Sequence, residues 1–130
     1  MNGIEFLILQ DVVFAHSDQI SRYGGDPGTR DSGLLELAIA QAQAIFGGQY
    51  LHDIPFGMVA AYLFHFVKNH PFVDGNKRSG AVAALLFLDL NNIKISAPSG
   101  SVYKLTIDVA NGLSGKDEIA SFFRTHAVAR

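Results

Sequence analysis

Met58-Val59-Ala60-Ala61-Tyr62-Leu63-Phe64-His65-Phe66-Val67 and Ala81-Val82-Ala83-Ala84-Leu85-Leu86-Phe87-Leu88 are two apolar runs divided by a polar segment. Neither alternates with a period of two. The stretches that contain them, about Pro55 to Asn69 and about Asn76 to Leu90, have the length of helices rather than strands. Helices apolar on nearly every face belong in the middle of a bundle. The longest wholly apolar run, Ala81 to Leu88, falls far short of the ~20 residues needed to cross a bilayer.

Outward from this pair the pattern stays helical. Leu9, Val12, Val13, His16, Ile20 and Tyr23 fall on one face at 3.6-residue spacing, and Tyr23-Gly24-Gly25-Asp26-Pro27-Gly28 breaks that helix. A second helix is expected from about Gly33 to Phe46, with Leu35, Ile39, Ala42 and Phe46 on its stripe, Asp31 or Ser32 as cap and Gly47-Gly48 as stop. Ser101 can start a fifth helix, carrying Val102, Leu105, Val109 and Leu113. Ser114 with Asp117 has capping-box spacing for a sixth, whose buried face is expected to hold Ile119, Phe122, Phe123 and His126. Ile4–Ile8 and Ile93–Ser96 read as short extended pieces. No repeat, low-complexity tract or long linker divides the chain. The expectation is an all-α fold, a compact bundle of about six helices with at most a short β-hairpin, as one domain over residues 1–130.

Composition narrows the function. Of 130 residues, 48% are apolar and 17% charged, a globular balance. A formal net charge of -2 gives no electrostatic footprint for general nucleic-acid binding. With no cysteine, disulfides and thiolate metal sites are excluded. The amino terminus has no basic n-region and no small-residue cleavage pattern, so a cytoplasmic location without membrane association is expected.

The polar segment between the central helices is His70-Pro71-Phe72-Val73-Asp74-Gly75-Asn76-Lys77-Arg78. Asn76, Lys77 and Arg78 fall in the first turn of the fourth helix, where free N–H groups carry partial positive charge. Two cations there oppose the helix dipole at about 0.3–1 kcal/mol each, a choice folding does not explain and a bound polyanion does. Gly75 permits a tight turn and close approach of backbone to ligand. Asp74 is a hard oxygen ligand suited to one Mg²⁺ that keeps most of its waters. His70 can accept a proton from an attacking hydroxyl near neutral pH. Pro71 and Phe72 read as structural. The bland alternative is an exposed helix–turn–helix corner made of ordinary turn residues. Base, metal ligand and phosphate cradle in one stretch favour phosphoryl or nucleotidyl transfer over it.

The segment resembles the Fic/Doc signature H-P-F-x-D/E-G-N-G/K-R. Ile20-Ser21-Arg22-Tyr23-Gly24-Gly25, Arg30-Asp31-Ser32-Gly33-Leu34-Leu35-Glu36 and Leu85-Leu86-Phe87-Leu88 resemble the death-on-curing (Doc) branch of toxin–antitoxin toxins. The resemblance implies His70 as catalytic base, Asp74 as Mg²⁺ ligand, and Gly75, Asn76, Lys77 and Arg78 as the phosphate-binding set, with ATP as cosubstrate. AMP-transferring members have glycine at the position of Lys77 and a second arginine at that of Ala81. Both departures are shared with Doc-like toxins, and they imply a kinase that moves the γ-phosphate of ATP to a threonine of elongation factor Tu and halts translation. The alternatives are AMP transfer to a protein hydroxyl and a non-catalytic antitoxin-binding module. The implied partner is a cognate antitoxin whose disordered tail folds into a groove on the helices.

Other residues read more plainly. Ser114 to Glu118 approaches the inhibitory S/T-x-x-x-E-G/N pattern, but Ile119 follows where Gly or Asn should stand, which argues against self-inhibition. His65 and His70, five apart, do not share a helix face. His16 and His126 read as satisfied core histidines, and His52 has no assigned role. Lys68 and Asn69 read either as a solvated helix end or as contacts to nucleotide or target. Arg30-Asp31 is expected to help position a loop that presents the target chain.

Overall fold

The structure, a computed structural model, describes residues 3–129. Its helices are α1 (Leu9–Tyr23), α2 (Ser32–Gln41), α3 (Phe56–Asn69), α4 (Asn76–Leu90), α5 (Ser101–Ala110) and α6 (Lys116–His126). Four short strands join them: β1 (Ile45–Phe46), β2 (Gln49–Tyr50), β3 (Ile93–Ile95) and β4 (Ala127–Ala129). The helical bundle is as expected from sequence. α3 lies at its centre, packed chiefly on α4, α6 and α2. Its residues Met58 to Leu63, with Phe66 and Val67, are buried and form the core with Phe72, Phe87, Leu88, Ile119 and Phe123. No helix among the described residues is long and apolar enough to cross a membrane.

Gly80 sets the distance between the two central helices. A Cβ at Gly80 would lie 3.1 Å from Val67 Cγ2 and 3.5 Å from the Leu63 carbonyl oxygen. The start of α4, where the polar segment joins it, therefore rests directly on α3.

Several boundaries differ from the periodic reading. α2 stops at Gln41, and Ile45 and Phe46 instead pair with Tyr50 and Gln49. Gly47 and Gly48 have φ of 62° and 82°, so they form a two-residue hairpin turn rather than a helix stop. Phe46 is consequently 80% exposed, off the stripe assigned to it. Asp31 is the α2 cap, its Oδ1 accepting the Leu34 N–H at 2.9 Å. α5 ends at Ala110, before Gly112 at φ 77°, which leaves Leu113 exposed. The reciprocal contact at α6 falls one residue later than Ser114/Asp117: Glu118 Oε1 accepts the Gly115 N–H at 2.7 Å.

A second antiparallel pair, β3 with β4, registers Ile93 with Ala129 and Ile95 with Ala127. Ile4–Ile8 forms no strand; the Leu7 N–H there donates to the Tyr62 hydroxyl at 3.0 Å. On α1 the buried face is Val12, Ala15, His16 and Ile20, while Leu9, Val13 and Tyr23 are exposed. On α6, Ile119 and Phe123 are buried, and Phe122 and His126 only partly so.

Candidate active site

α3 ends at His70, whose backbone is left-handed at φ 49° and ψ 56°. A non-glycine residue held there costs about 1–3 kcal/mol, so neighbouring contacts must impose the conformation. They are visible. Arg30 donates from Nε to the His70 carbonyl at 2.6 Å and from Nη2 to the Asn69 carbonyl at 2.8 Å, closing the last turn of α3. The Arg30 and Asp31 N–H groups both donate to the Pro71 carbonyl, at 2.8 and 3.0 Å, and the Val73 N–H donates to Gly28 at 3.0 Å. Residues 28–31 thus splint the 70–73 segment along its backbone, leaving the His70 side chain exposed.

The other half of the loop is fixed from α1. His16, 2% exposed, stacks on Phe72 with ring centroids 3.6 Å apart and planes 5° apart. Its Nε2–H donates to the Asp74 carbonyl at 2.8 Å. His16 is therefore the satisfied buried histidine expected, but its partner is the loop itself. Asn76 grips Phe72 from the other side: its Oδ1 accepts the Phe72 N–H at 3.0 Å and its Nδ2 donates to the Phe72 carbonyl at 2.9 Å. Its amide is a loop clamp, which leaves its backbone N–H for any anion.

Gly75, at φ 80°, is the N-cap of α4, and Ser79 N–H to Gly75 carbonyl, at 2.8 Å, is the first bond of that helix. The N–H groups of Asn76, Lys77 and Arg78 precede it and have no partner within the helix. The Lys77 side chain is exposed. Arg78 reaches toward α1, donating from Nη2 to the Gly24 carbonyl at 3.1 Å, with its guanidinium carbon 5.5 Å from the centre of the Tyr23 ring. Asp74 is exposed, and its Oδ2 accepts the Asp26 N–H at 2.8 Å. Gly25, at φ 119°, makes that approach possible: a Cβ there would stand 3.1 Å from Asp74 Cβ.

The donor set discriminates among metals. Among the described residues no three His, Cys, Asp or Glu side chains converge as metal ligands. A single oriented carboxylate suits Mg²⁺, which completes its shell with water and phosphate oxygens, and does not suit an all-protein cage.

Perturbed titration lies on a different face. Burial, Lys116 and His52 push His65 down from 6.5 to about 4, and burial with Lys116 also lowers His52. The buried Nε2 atoms of both rings have no hydrogen-bond partner among the described residues. His126 is half-buried rather than a core residue, its Nδ1–H donating to the Phe122 carbonyl at 2.8 Å.

Sequence reading located the nine-residue loop but missed its supports. Nothing in the spacing of His16 distinguishes it from any other member of the α1 stripe. Arg30-Asp31 was expected to position a loop that presents the target chain; the loop Arg30 holds is the one at His70, through a tertiary contact to its carbonyl.

Comparison with known proteins returns one family. The family model of the Fic/DOC family matches residues 6–88. The chain is 34% identical over 115 residues to the protein named protein kinase Doc of Escherichia phage P1, covering 88% of this chain and 90% of that one. It is 38% identical over 93 residues to toxin Doc of Mycolicibacterium smegmatis, covering 72% and 69% respectively.

Proposed function

The chain belongs to the Fic/DOC family, and from that membership and its loop we propose that it is a toxin of a type II toxin–antitoxin pair that acts as a Mg²⁺- and ATP-dependent protein kinase. The observation that carries the reading is one rigid loop that joins an exposed His70, an exposed carboxylate at Asp74 and the free N–H groups opening α4, with Lys77 and Arg78 beside them. Helix-end N–H groups and cations stabilise the charge of a transferring phosphoryl group.

In this mechanism His70 takes the proton of a threonine hydroxyl as its oxygen forms a bond to the γ-phosphorus. The bond from that phosphorus to the bridging oxygen breaks, and ADP leaves. Asp74 would hold Mg²⁺, which supplies charge neutralisation on the phosphates when bound. Elongation factor Tu is the target that the family resemblance suggests.

Two residues favour this reading over AMP transfer. Lys77 replaces the glycine and Ala81 the second arginine that AMP-transferring members carry. The name of one relative, protein kinase Doc, supports the same side. For the cognate antitoxin, the trough between α4 and β3, lined by Val82, Leu85, Leu86, Ile93 and Ile95 with Asp89 and Lys94 among them, offers a mainly apolar surface of the kind an amphipathic helix covers.

Label transfer tests the reading. The chain, with Mg²⁺ and elongation factor Tu, is given ATP labelled at the γ- or the α-phosphate, with His70→Ala as control. Label from the γ-position alone, lost in the control, is expected. Label from the α-position would make it an AMP transferase, and none from either would return it to a binding module or to another target.

A further inference from the structure

The end of α3 has to satisfy two demands that conflict. The chemistry needs an imidazole at position 70, and the backbone there, at φ 49° and ψ 56°, has the left-handed geometry that favours glycine. A helix that stops on a left-handed residue is closed by the N–H of that residue and by the N–H of the one beyond it. Here the residue beyond is Pro71, which has no N–H. The outer bond of such a stop is therefore impossible, and the last carbonyls of α3 are left to water or to donors from elsewhere in the fold.

Arg30 is that donor. Its Nε donates to the His70 carbonyl at 2.6 Å and its Nη2 to the Asn69 carbonyl at 2.8 Å, both shorter than the usual ~2.9–3.0 Å. The two carbonyls belong to successive residues, so one planar guanidinium fork spans them, a geometry that a lysine ammonium does not fix. The fork is itself anchored. The Arg30 N–H donates to the Pro71 carbonyl at 2.8 Å, and Thr29 bridges Phe72 in antiparallel fashion. The charge also suits its place, since the helix dipole favours a cation at the carboxyl end of α3. Among the described residues no carboxylate forms an ion pair with Arg30, so its donors serve the backbone rather than a surface salt bridge.

We infer that Arg30 is a positioning residue for the base: it replaces the glycine stop that position 70 cannot have and holds the imidazole in register with the hydroxyl it deprotonates. Its contacts are with main-chain oxygens, so it acts through His70 rather than on the reacting atoms. The kinetic consequence rests on the phosphoryl-transfer reading of the loop, and the structural one on backbone geometry alone. Loss of Arg30 therefore falls on turnover and not on the affinity for ATP.

Two readouts on Arg30→Ala and Arg30→Lys test this, each taken where thermal melts show the protein folded. The first is steady-state transfer of γ-label to elongation factor Tu. For Arg30→Ala, kcat is expected to fall about a hundredfold with KM for ATP within about twofold, the scale set by a misplacement of ~1 Å. Arg30→Lys keeps the charge without the fork and is expected to recover that loss only in part. Methylguanidinium ion is expected to restore turnover to Arg30→Ala and to leave the unmodified chain unchanged. The second readout is NMR of the isotope-labelled chain, in which His70 should show the strong intraresidue HN–Hα cross-peak of a positive φ, weakened in Arg30→Ala. Full turnover in Arg30→Lys, a raised KM with unchanged kcat in Arg30→Ala, or an undiminished cross-peak would overturn the inference. If Arg30→Ala does not fold, Arg30→Lys decides on both readouts. If the unmodified chain transfers no label, the phosphoryl-transfer reading fails, and the cross-peak alone judges the role of Arg30.

Discussion

His16→Phe separates the two things His16 does. The replacement keeps an aromatic ring against Phe72, where the centroids are 3.6 Å apart, and removes the Nε2–H donated to the Asp74 carbonyl at 2.8 Å. A part-buried carbonyl that loses its donor costs about 1–2 kcal/mol. His16→Ala loses the bond and the ring stack, worth a further ~0.5–1.5 kcal/mol, and opens a cavity at a buried position, for about 3–4 kcal/mol in all. Urea unfolding followed by circular dichroism measures both. The transfer assay then reads the loop. Because Asp74 is held through its own carbonyl, His16→Phe is expected to lower γ-label transfer tenfold or more while the protein stays folded. A His16→Phe protein that unfolds at the unmodified urea midpoint and transfers label at the unmodified rate would refute the idea that α1 positions the loop. Equal destabilisation by Phe and Ala would show instead that the stack contributes nothing beside the hydrogen bond.

Three further outcomes are expected. His70→Gly should abolish transfer and raise stability by about 0.5–1 kcal/mol in urea unfolding, because glycine adopts the left-handed geometry without the cost that histidine carries; a destabilised variant would mean that the His70 ring makes a stabilising contact. Gly80→Ala should destabilise by about 1 kcal/mol, since the added Cβ would meet Val67 Cγ2 at 3.1 Å in a packed core and overpacking there exceeds the gain in helix propensity; a higher melting temperature would show that α4 can move off α3. His65 falls from 6.5 unfolded to about 4 folded, through burial, Lys116 and His52, so the unfolded chain binds more protons between those values. The stability it contributes is complete above pH 6.5 and is lost as pH falls toward 4. Its ceiling is about 3 kcal/mol, reduced to about 2 kcal/mol by solvent screening at a half-buried ring. His65→Gln should flatten the urea midpoint across that window, and an unchanged slope would assign the acid sensitivity to other groups.

Much of this protein was written along the chain. The two apolar runs marked α3 and α4 as the paired central helices; α3 is buried along most of its length, while α4 keeps Leu85 exposed. Asp31 or Ser32 was legible as the cap of α2, and the nine residues from His70 to Arg78 suggested phosphoryl or nucleotidyl transfer by their identities. Boundaries were less legible where two local readings competed. Gly47-Gly48 suits a helix stop and a hairpin turn equally, and the pairing of Ile45 and Phe46 with their partners decided for the hairpin.

Tertiary structure alone decided what holds the loop. The bond of His16 to Asp74 spans 58 residues and that of Arg30 to His70 spans 40, and no periodicity encodes contacts at such separations. The pairing of β3 with β4 is of the same kind, since Ala127–Ala129 has no strand signal until Ile93–Ile95 lies beside it. The sequence by itself determined which groups could do chemistry. Their orientation came from side chains brought in from α1 and from residues 24–31, because a left-handed histidine and a helix end opened by glycine keep their geometry only when packing and hydrogen bonds from elsewhere in the fold impose it.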